Sequence, residues 1–322
     1  MTRKTKLIGL LVAFALLWAA TMAADRLNPE NQTVEAPPLL ALDTASITSL
    51  TWTYGGETLT FTRSDGVWTY PEDEAFPLDE SGITAMTDAL SQLTAQKTID
   101  QPQDLDQYGL EDPVCSIEVT LTDSTTWLAI GDESSLDGLR YLSTGSDMVY
   151  LVDSELLDAF SRELYDLIQY EDIPAMTDVQ SFTVETAGNS LTLTTQETEG
   201  GDAWIYRDRD SDTSTTLDTS LTDDLVETVT RMYWSSCVNY RADQIALELY
   251  GLDTPAATVT VAYTETTEEG QVEGTFHLEL GAVNGEYCYA RLAGSSMVYQ
   301  VKASILETLT TTTIEDLLPT GE

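Results

Sequence analysis

Two short stretches, DQYGLEDP at Asp106–Pro113 and ELYGLDTP at Glu248–Pro255, carry the same order of residues 142 positions apart. In the first, Leu105 and Tyr108 are expected to pack inward over one short turn. Gly109 suits a left-handed C-terminal position, and Pro113 stops the turn from propagating. The second stretch repeats that chemistry with Tyr250, Gly251 and Pro255. One turn of this kind is unremarkable. Its recurrence points to a larger repeat in the flanking sequence.

Upstream of the first turn, ITSLTWTY (Ile47–Tyr54) and ETLTFTR (Glu57–Arg63) alternate apolar and polar side chains, the two-residue period of half-buried strands. Gly55-Gly56 joins them, and Asp65-Gly66 turns the chain into VWTY (Val67–Tyr70), giving a three-stranded antiparallel meander. A helix follows, capped by Asp79, with Ile83, Met86, Ala89, Leu90 and Leu93 on one stripe. After the YGL turn, strands are predicted at Ser116–Leu121, Thr126–Ile130, Leu139–Ser143 and Met148–Val152, and a closing helix at Leu156–Leu164.

The second half repeats the order. VQSFTVET (Val179–Thr186), SLTLTTQ (Ser190–Gln196) and AWIY (Ala203–Tyr206) match the meander. A helix capped by Asp218, with Leu221, Leu225, Val229 and Met232 as its stripe, precedes the second YGL turn. The offset is 132 residues at Ile47/Val179, 136 at Trp68/Trp204, 142 at Tyr108/Tyr250 and 149 at Met148/Met297. It grows through the polar segments ETEGG, DRDSDTSTT and TEEGQVEG, which read as loop insertions.

The expected fold class is therefore α+β: two tandem copies of a mostly antiparallel β-sheet domain with packed helices, after an N-terminal transmembrane helix. The expected divisions are 1–25 membrane anchor, 26–45 linker, 46–170 first domain, 171–310 second domain and 311–322 tail. The anchor rests on Arg3, Lys4 and Lys6 followed by an uncharged, mostly apolar run from Leu7 to Ala24. That run is near the minimum for crossing a bilayer as a helix and longer than a cleavable signal core. Its positive flank belongs in the cytoplasm, which puts the bulk of the chain outside. The small residues Thr21–Ala24 keep signal cleavage as the alternative.

The 322-residue chain has 14 Lys+Arg against 55 Asp+Glu. Setting aside Arg3, Lys4 and Lys6 leaves 11 basic residues and moves the net charge from −41 to −44. Such a surface repels phosphate backbones, so nucleic acid is excluded as a partner, while cations and basic surfaces are attracted. Cys115, Cys237 and Cys288 have neither disulfide-framework nor zinc spacing and read as small buried hydrophobes; three thiols allow at most one disulfide.

Candidate chemistry is sparse. His277, the one histidine, lies between Phe276 and Leu278 on a strand and is expected to face solvent. No nucleophile elbow, phosphate-cradling loop or histidine pair is present. The nearest approach to a metal site is DRDSDTSTTLD, where Asp208, Asp210 and Asp212 have the alternate spacing of a calcium loop. The pattern then departs: Thr213 stands where the tight turn wants glycine and Thr219 where a bidentate glutamate is needed. No cofactor is expected. Trp68, Trp204, Tyr108, Tyr250, Tyr150 and Tyr299 recur at equivalent places and read as shared core; an exposed Trp52, Trp127 or Trp234 would favour glycan or protein contact.

Together the anchor, the strand pair, the GVW strand, the helix, the YGLxxP turn and the xIG…Y…VY tail resemble domain-of-unknown-function family 4340, in two passes over most of Ile47–Leu309. Members of that family look like membrane-anchored proteins often encoded beside ABC-transporter permeases, including gliding-motility-type auxiliary components. The resemblance implies a non-enzymatic extracytoplasmic accessory or binding protein, with an ABC-transporter permease or another membrane protein as partner. It transfers no catalytic residue. The alternative is a cell-wall or glycan-binding surface protein without a transporter.

Overall fold

The computed structural model describes residues 38–40, 42–135, 138–198, 201–207, 213–267 and 270–319. The expected anchor at 7–24 lies outside them. Among the described residues no helix is long and apolar enough to cross a membrane.

Strands β1 (Ile47–Tyr54), β2 (Glu57–Ser64), β3 (Val67–Thr69), β4 (Lys97–Asp100), β5 (Cys115–Leu121), β6 (Thr125–Glu133), β7 (Arg140–Ser143) and β8 (Met148–Val152) form one sheet in the order β3-β2-β1-β5-β6-β7-β8-β4. Strands β9 (Asp178–Thr186), β10 (Asn189–Thr198), β11 (Gly201–Arg207), β12 (Ser214–Thr216), β13 (Ser236–Asn239), β14 (Ala257–Thr267), β15 (Gly270–Asn284), β16 (Tyr287–Leu292) and β17 (Val298–Lys302) form another, ordered β12-β11-β10-β9-β14-β15-β16-β17-β13. With β12 set aside, the two orders are the same. Among the described residues the α-helices are α1 (Glu80–Ser91), α2 (Glu155–Phe160), α3 (Thr219–Thr230), α4 (Gln244–Tyr250) and α5 (Ala303–Thr311).

Packing divides the chain into two compact units. Beyond the stretch up to Ile47, the first takes Trp52–Gly55 and Ala85–Ser161; the second takes Thr48–Thr51, Gly56–Thr84 and Arg162–Glu322.

In the first unit, alternation on β5 buries Cys115, Ile117 and Val119, and Trp52 meets Phe160 edge-on with ring centroids 6.2 Å apart. The YGL turn is a single 3-10 turn at Asp106–Tyr108, closed by Gly109 at φ 64°. Tyr108 packs with Tyr141 over Leu110, Ala129 and Val149, but Leu105 is 38% exposed rather than turned inward. The closing helix is shorter than the expected Leu156–Leu164. Ser161 leaves helical geometry after donating its N–H to Leu157, and a 3-10 turn at Leu164–Leu167 follows in the second unit.

In the second unit the YGL turn is longer. Asp243 caps α4 by accepting the Ala246 N–H, and Gly251 ends it at φ 67°. Both YGL turns sit on a glycine of the neighbouring strand. A Cβ on Gly131 would lie 2.1 Å from the Tyr108 carbonyl oxygen, and one on Gly281 2.3 Å from that of Tyr250. The tyrosine carbonyl therefore rests on bare backbone, which accounts for the glycine in the IG and LG dipeptides of β6 and β15.

All three segments expected as loops contain strand residues, β12 (Ser214–Thr216) lying in DRDSDTSTT. The TEEGQVEG segment extends the β14–β15 hairpin, with Thr267 paired to Gly270, and the ETEGG segment extends β10–β11, with Thr198 paired to Gly201. Added alternating polar residues lengthen these ribbons beyond their neighbours. Leu221, expected on the α3 stripe, is 40% exposed; Thr222 is buried in its place, its hydroxyl donating to the Asp218 carbonyl at 2.7 Å. Beyond α5, Leu317 is buried and its carbonyl accepts the Asp218 N–H at 2.9 Å.

Also within the second unit, the Tyr240 hydroxyl donates to Asp73 Oδ2 at 2.8 Å, and Arg241 Nη2 lies 3.0 Å from the same oxygen. Phe76 meets the Tyr240 ring edge-on at 5.2 Å. The Tyr240 hydrogen bond, then the Ala75 N–H and Arg241, hold the Asp73 carboxyl below its ordinary range.

Candidate functional site

A concavity of about 600 Å³ lies in the second unit, between the ends of β9, β10 and β11 and the polar side of α3. Alternation places it. On β11, Trp204 turns inward and is 5% exposed, and α3 packs across that strand. Asp218 sets the phase of α3 by accepting the Leu221 N–H at 3.1 Å. Asp223, Glu227 and Arg231 then follow at helical spacing along the cleft.

Met176, Val179, Val226 and the Trp204 edge supply the apolar lining. The Trp204 Nε1–H donates to Asp223 Oδ1 at 2.7 Å, which orients that carboxylate at the mouth. Arg231 pairs with Glu227 at 2.6 Å, so its charge is matched within the helix. Asp178 and Asp202 stand exposed at the strand ends. The arrangement holds oriented negative charge beside an apolar wall. Thr177, Thr195, Thr219 and Thr230 add hydroxyl groups to the lining.

The residues at the equivalent helix of the first sheet differ. Counting from the caps Asp79 and Asp218, the positions of Asp223, Glu227 and Arg231 correspond to Thr84, Asp88 and Gln92. The indole of Trp68 instead carries the Arg63 guanidinium 5.9 Å above its ring.

The expected calcium-like residues Asp208, Asp210 and Asp212 lie outside the described residues. Among the described ones, no three His, Cys, Asp or Glu side chains are grouped to hold a metal ion. His277 faces solvent as expected, with Nδ1 3.1 Å from the Thr260 hydroxyl on β14. The three cysteines are buried and unpaired, and burial pushes the Cys115 thiol up to about 12 and those of Cys237 and Cys288 to about 11. Of the unmatched tryptophans, Trp52 and Trp234 are buried, while Trp127 is 44% exposed on β6, opposite Glu118 of β5. The Trp68/Trp204 pair is buried in both sheets; Tyr299 is buried but Tyr150 only half so.

The model of a domain of unknown function, DUF4340, matches residues 68–238 and again 204–318. The two matches begin on Trp68 and Trp204, the tryptophans of β3 and β11. The chain belongs to the DUF4340 family. No curated protein matches it. Among solved structures, the crystal structure of the nematode sperm cell motility protein MFP2B aligns over 83% of this chain and 94% of its own, at 7% identity and a TM-score of 0.11. That likeness carries no argument about the fold. Sequence reading did not find the cleft. Its one signal was the Asp223, Glu227, Arg231 spacing on a helix next to a repeated tryptophan.

Proposed function

We propose that this DUF4340 protein is a non-enzymatic accessory or binding protein at the outer face of a membrane, serving an ABC-type transporter or surface-assembly complex. In this reading residues 7–24 form a single-pass anchor with the N-terminus in the cytoplasm, and the described part is a duplicated domain outside. The observation that carries it is the shared strand order of the two sheets, together with family matches that begin on equivalent tryptophans. The transporter partner is supported by the family resemblance. Co-purification from native membranes tests it.

Trp127 favours a second reading, a cell-wall or glycan-binding protein. Its exposed indole offers an apolar face for a sugar ring, and Glu118 across the strand pair offers a hydrogen-bond acceptor. Retention of the parent chain on isolated cell-wall glycan, lost in Trp127→Ala, would select it.

A further inference from the structure

We propose that the cleft beside Trp204 receives a cationic segment of a partner protein, an extended peptide in which lysine or arginine alternates with apolar residues. The inference rests on reading the protein as a binding module and adds the chemistry of what it binds.

Three observations carry it. The cleft, at about 600 Å³, has the volume of a site that holds a few residues of chain. Its wall is apolar at Met176, Val179, Val226 and Trp204, whereas Asp178, Asp202 and Asp223 line it and, among the described residues, form no ion pair with Lys or Arg. Arg231, the one cation among the described lining residues, is held by Glu227. A ligand that completes the site therefore brings positive charge on an apolar stem, which is the chemistry of lysine and arginine. The Trp204–Asp223 hydrogen bond fixes one carboxylate before any ligand arrives, reducing the ordering cost on binding. The duplicated sheet supplies an internal comparison. Asp88 keeps the acid of Glu227, but Thr84 and Gln92 stand where the second sheet has Asp223 and Arg231, so the tryptophan-oriented carboxylate belongs to the second sheet.

The test uses the full chain in nanodiscs of zwitterionic lipid, with empty nanodiscs subtracted. The probe is a short fluorescent peptide alternating lysine and valine, read by anisotropy. The triple variant Asp178→Asn/Asp202→Asn/Asp223→Asn should weaken binding about tenfold. Asparagine at 223 keeps an acceptor for the indole, and an unchanged circular dichroism melt confirms folding. A control set, Glu111→Gln/Asp112→Asn/Asp123→Asn, removes equal charge elsewhere and should leave affinity unchanged. No binding to the parent, equal loss in both sets, or binding of spermidine with the peptide excluded would each overturn the proposal. A peptide result of either kind leaves the transporter reading to the co-purification, so the two fail separately.

Discussion

The indole N–H of Trp204 donates to Asp223 Oδ1 across 2.7 Å, joining strand β11 to helix α3 in the second sheet's unit. The donor is nearly buried and the acceptor is exposed. Removing the acceptor strands a donor that water reaches poorly. Asp223→Ala is expected to destabilise the protein by about 1 kcal/mol, read as a lower urea midpoint. Thr84→Ala, at the corresponding place in α1, should move the midpoint much less. Equal shifts would mean that the hydrogen bond contributes nothing.

The YGL turns make a stronger demand. Gly281→Ala forces a methyl group against the Tyr250 carbonyl, and Gly131→Ala does the same against that of Tyr108. Backbone cannot yield as a flexible side chain can. Each substitution should cost about 1–3 kcal/mol. Thermal melts of the single variants check this, and a melting temperature within error of the parent's would contradict the packing described.

These turns also mark how far the sequence was legible. Gly109, Gly251 and the caps Asp79 and Asp218 obey local rules, since positive φ and unsatisfied helix N–H groups select residue types directly. The alternating runs of β1, β2, β9 and β10 were equally plain. Strand β4 was missed because Lys97–Asp100 buries none of its residues, so no hydrophobic period betrays it; it exists by pairing with β8 at the sheet edge. Leu221 misled because an apolar residue at the right spacing can still point outward when a satisfied threonine fills the buried place. The cleft was invisible for a related reason. Asp223 and Asp202 are far apart in sequence and become neighbours only when α3 packs on β11.

Acid should uncouple Tyr240 from Asp73. The Asp73 carboxyl is held low by the Tyr240 hydroxyl, the Ala75 N–H and Arg241. A depressed folded-state value stabilises the fold above the unfolded value, about 3.9, and the stabilisation is lost as pH falls through the folded value. Tyr240→Phe should therefore be less stable than the parent at pH 7, and the difference should shrink at pH well below 4. Urea unfolding of both proteins across that range checks it. A difference that stays constant with pH would exclude this coupling.

The thiols are expected to be inert in the native state. Cys115, Cys237 and Cys288 are buried, and burial raises each thiol well above neutral pH. Iodoacetamide at pH 8 should label none of them until denaturant is added, as read by intact mass. Rapid labelling of the native chain would contradict their placement.

The central claim is that the protein serves a membrane complex as a binding component. It is tested most directly by extracting the full chain from its native membrane in mild detergent, purifying it through a C-terminal tag and identifying what accompanies it by mass spectrometry. An ABC-type ATPase and its permease are expected in amounts comparable to the tagged chain. Recovery of the tagged chain with no membrane protein partner would contradict it.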